Sequence, residues 1–198
     1  MNKDLYNLIL NRRTVRFFTQ EKVPREILEK AVNAARLAPS ARNAQFLEYL
    51  VIDNPQLCAK ISGMVKMGGY VFPKRMPDKE RQPTAYIVLL GNKEKSPDTD
   101  TRDVGAAAEN ILLSLCAFDL GGCWIASVDK NGLREQFSIP DIYEIDSVIA
   151  CGVPAEKPIV EEKDEVKYWL DEQDVLHVPK RPLEKIIYYN SLSKKEVI

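Results

Sequence analysis

Apolar positions along this chain follow two spacings, one suited to helices and one to strands. Leu5, Leu8, Ile9 and Val15 keep a helical spacing that predicts a first helix over residues 3–12. A second starts at Pro24, where proline suits a first turn, and its stripe of Ile27, Leu28, Ala31, Val32, Ala35 and Ala38 stops at Pro39. Residues 46–52 are short, apolar and rich in sheet-favouring types, so they read as a strand. Asn54-Pro55 then opens a short helix carrying Leu57, Ile61 and Val65. Residues 85–91 form a second strand, apolar on both faces and therefore central in its sheet. Beyond a polar loop at 93–99, Asp103 caps or begins a long helix with Ala106, Ala107, Asn110, Ile111, Leu115 and Phe118, stopping at Gly121-Gly122. A third strand is expected at 123–127. Asp129 then caps a helix that turns Leu133 and Phe137 inward. A fourth strand covers 145–153, a short fifth 175–178, and Leu183, Ile186 and Ile187 mark a closing helix.

Two stretches break the pattern. Residues 64–82 carry Gly68-Gly69, Tyr70, Phe72, Met67, Met76 and two prolines, the makings of an adaptable lid over a flat ligand. Residues 161–167 are charged and expected to face solvent. No linker or repeat divides the 198 residues, so one domain over 1–198 is expected. The small alanines of the long helix would let another helix approach closely, in the core or in a dimer.

Charge changes the picture little overall and much locally. The formal net charge of -1 argues against generic nucleic-acid binding, which needs a large positive excess. Yet Asn11-Arg12-Arg13-Thr14-Val15-Arg16-Phe17-Phe18 places three guanidiniums and a hydroxyl within five residues, between apolar segments. Arginine's planar fork donates in pairs to phosphate or carbonyl oxygens and keeps its proton. Cys58, Cys116, Cys123 and Cys151 form no C-x-x-C pair and His177 is the sole histidine, so no metal site is expected. The start has no signal pattern and no apolar run spans a membrane, which makes the cytoplasm the default compartment. No Gly-x-Gly-x-x-Gly fingerprint, nucleophile elbow or acid-base pair is present to carry a dinucleotide fold or a hydrolase.

Five ordered segments resemble the nitroreductase family of flavin enzymes. They are the arginine run, Ala38-Pro39-Ser40-Ala41-Arg42-Asn43-Ala44-Gln45, Leu120-Gly121-Gly122-Cys123-Trp124-Ile125, Gly152-Val153-Pro154-Ala155-Glu156-Lys157-Pro158, and Val178-Pro179-Lys180-Arg181-Pro182-Leu183-Glu184-Lys185-Ile186. The resemblance implies an α+β sandwich around a mainly antiparallel sheet, a homodimer with sites at the subunit interface, and bound FMN. It also implies NADH or NADPH as hydride donor and a small electron-poor acceptor such as a nitroaromatic or quinone, with no nucleic acid or membrane partner. A flavin carrier or sensor without turnover, or a branch such as a reductive dehalogenase, stays open.

By the same resemblance Arg12 pairs with the FMN phosphate, Thr14 bonds the ribityl or phosphate region, and Arg13 lies beside the cofactor. Arg16 faces the pyrimidine edge, where a cation favours reduced flavin. Lys180 and Arg181 approach the phosphate. The turn Pro39, Ser40, Ala41, Asn43 and Gln45 comes from the partner subunit, although Ala41 replaces a serine and Phe46-Leu47 replaces Pro-Trp. Ala126 and Ser127 bring a backbone N–H to flavin N5, so no side chain is catalytic. Tyr70, Phe72, Lys74 and Arg75 belong to the lid, where Pro73 stands in place of a family asparagine.

Overall fold

A strand whose every residue is buried needs cover on both sides, and β2 (Ala85–Asn92) is such a strand. The computed structural model describes residues 5–192 and places β2 inside a four-stranded antiparallel sheet. Its order is β1-β2-β4-β3, with β1 at Leu47–Ile52, β3 at Gly121–Ile125 and β4 at Tyr143–Gly152. Side chains alternate along a strand, so Ala85, Ile87 and Leu89 face one way with Ile149 and Cys151. Tyr86, Val88 and Leu90 face the other with Val148 and Ala150. The register shifts between Leu89 and Leu90, opposite Ser147 and Ile145, so Asp146 is a bulge that keeps both apolar sets inward.

Helices cover both faces. On the first, α2 (Arg25–Arg36) and α4 (Thr101–Ala117) bring Leu28, Ala31 and Ala35 against Ala107, Ala108 and Ile111. Asn110 Nδ2 donates to the Ala34 carbonyl at 3.0 Å between them, so the alanine-rich face is spent inside the chain. On the second, α3 (Pro55–Ser62) and α5 (Lys130–Phe137) contribute Cys58, Ile61 and Leu133. Asn54 and Asp129 cap these two helices, accepting from Leu57 N and Gly132 N. Asp100, not Asp103, caps α4.

The first helix, α1 (Leu5–Asn11), buries only Leu8; residues 3 and 4 of its expected span lie outside the described residues. After β4 a second sheet forms from β5 (Ile159–Glu162), β6 (Trp169–Leu170) and β7 (Leu176–Lys180), ordered β5-β7-β6. The charged stretch at 161–167 therefore begins inside a strand that pairs with β7 in parallel. The expected closing helix is a single turn of 3-10 helix, Leu183–Lys185. Leu183 and Ile186 stay exposed, and a short helix without tertiary packing is marginal.

Candidate functional site

The arginine run is extended chain laid along the sheet edge. Val15 N donates to the Gly122 carbonyl at 3.0 Å, Thr14 bridges Gly122, and Phe18 bridges Pro154. Two glycines permit this approach. A Cβ on Gly121 would sit 2.8 Å from Val15 Cβ, and one on Gly152 would sit 2.7 Å from the Phe18 ring. The two Gly-containing segments are thus the floor on which the run rests.

Glu156 completes the support. Its Oε1 accepts from the backbone N–H groups of Arg16 at 2.5 Å and Phe17 at 3.1 Å. Its Oε2 lies 3.1 Å from Arg75 Nη1, and the side chains of both partners are almost wholly buried. Arg75 also donates from Nη2 to the Asp174 carbonyl at 2.8 Å and sits 4.6 Å from the Phe17 ring centre. Arg75 was expected among the lid groups that meet a substrate. The structure corrects this: it is a staple between the 68–76 loop, the arginine run and the β6–β7 turn.

The three arginines have different surroundings. Arg12 Nε pairs with Glu109 on α4 at 3.0 Å, and Arg13 Nη1 donates to the Leu10 and Arg12 carbonyls. Partial burial and the neighbouring Arg12 charge lower the pKa of Arg13. Arg12, Arg13 and Lys157 line a hollow of about 380 Å³ beside Gly121 and Gly122. Arg16 turns elsewhere, with its guanidinium 5.7 Å from the Tyr168 ring centre and its Nε buried without a hydrogen-bond partner among the described residues. Nearby Cys123 is pushed up to about 11 by burial, against the pull of Arg16, and stays a thiol.

The other expected site residues are not gathered around the run in one chain. The turn holding Ser40 and Asn43 is tied to α4, where Ala41 N donates to both oxygens of the buried Asp103. Ser40 Oγ accepts from Gln45 N at 3.0 Å. Pro39, Ser40 and Gln45 line one small hollow with Asp103, separate from that of Arg12 and Arg13. Ala126 and Ser127 are exposed just past β3, and the Ser127 carbonyl accepts from Lys66 N at 2.9 Å. Lys180 and Arg181 are exposed at the end of β7. Because β5 leaves the Glu156 segment and pairs Ile159 with His177 but Glu162 with Lys180, they stand at the far end from Glu156.

Glu109 and Tyr168 carry no local sequence signal, since their partners are distant in the chain, and Glu156, though inside a family segment, shows nothing there of its bonds to Arg16, Phe17 and Arg75. His177 Nδ1 lies 2.8 Å from Glu161 and Nε2 3.1 Å from Asp171, while its ring stacks on Trp169 at 4.2 Å. Hydrogen bonds to Asp171 and Glu161 raise its pKa; His177 lowers Asp171 in return, and Lys163 first, then His177, lowers Glu161. Among the described residues no cluster of histidine, cysteine and carboxylate groups is arranged for a metal, and no helix is long and apolar enough to cross a membrane.

An antiparallel sheet sandwiched by helices, with a basic extended run pinned to its edge, defines an α+β protein. The sequence model of the Nitroreductase family matches residues 9–153, and the chain belongs to that family. A curated Methanothermobacter thermautotrophicus protein named "Putative NADH dehydrogenase/NAD(P)H nitroreductase" is 31% identical over 78% of this chain and 80% of its own. An iodotyrosine deiodinase of Thermotoga neapolitana is 25% identical over 77% of this chain and 89% of its own. The solved structure of an FMN-dependent nitroreductase from Clostridium difficile R20291 is 25% identical with a TM-score of 0.66, covering 94% of this chain and 99% of that one. The chain is an oxidoreductase of this family, and the α+β sandwich is the family's fold.

Proposed function

We propose that this chain holds FMN against the arginine run and works as a homodimer, carrying hydride from NADH or NADPH to an electron-poor acceptor such as a nitroaromatic or quinone. The observation that carries the reading is Arg16 Nε, a buried cationic donor with no hydrogen-bond partner among the described residues, inside the stretch that the family's sequence model matches. A buried donor left unpaired costs about 1–3 kcal/mol, so such an atom favours a ligand that brings an acceptor. The pyrimidine edge of a flavin, with N1 and O2, is one. FMN when bound would supply a ring that takes hydride at N5 and gives it up to a second molecule in a two-stage exchange.

The chain's own residues bind and orient. Arg12 and Arg13, with Thr14 beside them, would meet the phosphate and ribityl groups, and Arg16 would hold positive charge at the edge that becomes electron-rich. Arg12 shares its charge with Glu109, so its contribution to phosphate is partial. The exposed backbone at Ala126 and Ser127 is the candidate to face N5. Pro39, Ser40, Ala41, Asn43 and Gln45, with Lys180 and Arg181, would reach a cofactor only in an assembly. Exposed Leu5, Ile9 and Leu10 on α1 favour one, because that apolar face has no cover among the described residues.

The test is purification from a flavin-replete host. A bound flavin absorbance band, reduction by NADH or NADPH under anaerobic mixing, and a dimer by sedimentation are expected; colourless protein overturns the reading. Arg16→Ala should weaken FMN binding about 10–100-fold and lower its reduction potential, and an unchanged potential in a variant that keeps FMN removes the role given to Arg16. The deiodinase relative favours a second reading, reductive loss of iodide from an iodinated phenol. Release of iodide from iodotyrosine by the reduced protein distinguishes it.

A further inference from the structure

Close to Arg16 the lid loop and the segment running into β6 flank an open hollow of about 560 Å³. Its walls are aromatic. Tyr70, Phe72 and Trp169 are 60%, 53% and 40% exposed around it, so three large rings stand half in water at one place. Single exposed aromatics are ordinary, but rings grouped around a concavity point to a flat ligand that would cover them.

The rings are held in place without that ligand. Tyr70 N donates to Tyr168 Oη at 3.2 Å, and the two rings meet edge to face with centres 4.9 Å apart. Trp169 is stacked on His177, which Glu161 and Asp171 clamp. A wall already ordered loses less entropy when it binds.

The charges at the rim are mostly one sign. Lys74 and Lys167 line the hollow from its two sides, and Glu165 is the one carboxylate among the residues that line it. Both lysines are exposed, and neither is ion-paired among the described residues; Lys167 Nζ lies 5.9 Å from the Tyr70 ring centre. Tyr168 belongs to this hollow and also contacts Arg16, so the hollow abuts the edge where the proposed function places the cofactor.

The geometry points to an acceptor site for planar aromatic acids: the ring is covered by Tyr70, Phe72 and Trp169, and the carboxylate is met by Lys74 and Lys167. This rests on the oxidoreductase reading above. For a nitroarene carboxylate, one hydride from the nicotinamide and one proton from solvent convert the nitro group to nitroso and release water, a two-electron reduction that balances.

The probes are para-nitrobenzoate and its neutral amide, titrated into the oxidised flavin-loaded protein by calorimetry. Wild type is compared with Lys74→Gln, Lys167→Gln and the double variant, all at exposed positions that leave the fold intact. The acid should bind about tenfold more tightly than the amide, each single variant should lose about threefold, and the double variant should bind both equally. Raising salt from about 0.05 to about 0.5 M should shrink the preference. Equal binding of acid and amide by wild type overturns the inference, as does a preference that survives in the double variant. Flavin reduction by NADH, measured separately, reads the dinucleotide: slowing there by the same factor as the loss of acid binding would assign the lysines to the dinucleotide and also overturn the inference. A protein that NADH does not reduce at all fails the oxidoreductase reading instead, whatever the titration shows.

Discussion

The arginine run and the Pro39–Gln45 turn are both family motifs, yet the chain treats them in opposite ways. The run is finished within one chain: its backbone is paired to Gly122, its N–H groups are received by Glu156, and Val15, Phe17 and Phe18 are buried. The turn is exposed and holds Arg42, Asn43 and Gln45 at φ of 53°, 54° and 47°, a left-handed conformation that is costly for residues other than glycine. Asp103 and Ser40 keep it in that shape. Strained backbone held by dedicated anchors suits a segment that presents atoms outward rather than one that fills a core. The difference teaches that one half of the candidate site is a folding element and the other half is a displayed one.

The largest expected effect comes from attacking the finished half. Glu156→Ala leaves Arg75 as a buried charge without its partner and should cost about 3–5 kcal/mol in urea unfolding. Adding Arg75→Met should restore much of that stability, and a double variant no more stable than Glu156→Ala would show that the carboxylate acts only through the Arg16 and Phe17 amides.

The displayed half should respond in assembly before it responds in folding. Leu10→Glu on the exposed face of α1 should leave monomer stability within about 0.5 kcal/mol. The same change should weaken a dimer that buries this residue by about 2 kcal/mol, read by sedimentation equilibrium. Should α1 prove irrelevant to association, the idea that the turn is completed across subunits loses its physical support.

Asp103→Asn sharpens the comparison further. It removes the charge that receives Ala41 N and should cost about 1–2 kcal/mol, while FMN binding falls if the turn serves a cofactor in the assembly. Loss of stability with flavin affinity untouched would make the turn purely structural.

The smallest expected effect lies in the second sheet, which carries Lys180 and Arg181. His177 has a raised pKa in the folded chain because of Asp171 and Glu161, so its contribution is full below the unfolded value of about 6.5 and is lost as pH rises through the folded value. Amide exchange in β7 should therefore quicken, beyond the intrinsic rate change, as pH rises from about 6 to about 9. His177→Gln should flatten that dependence.

Apolar spacing, with caps and breakers, placed every strand of the main sheet and helices α2 to α5 to within a few residues, because these signals are local properties of the chain. The central position of β2 was legible for the same reason: its run of apolar residues admits no wet face. Asp103 could not be read correctly, since its partner is 62 residues away and a cap and a buried anchor have the same local pattern. The closing helix failed because Leu183 and Ile186 stay exposed, with nothing to pack on among the described residues. Arg75 was read as a lid residue because nothing near it in sequence announces Glu156.

By itself the sequence determined the strands of the main sheet, the helices packed on it and most of the core, and that three arginines arrive together at a family motif. Folding in three dimensions decided how those arginines are spent: Arg12 on Glu109, Arg13 on nearby carbonyls, and Arg16 with a buried nitrogen left over. The reason is that hydrophobic spacing is written along the chain, whereas the partner of a charge is chosen by distance in space.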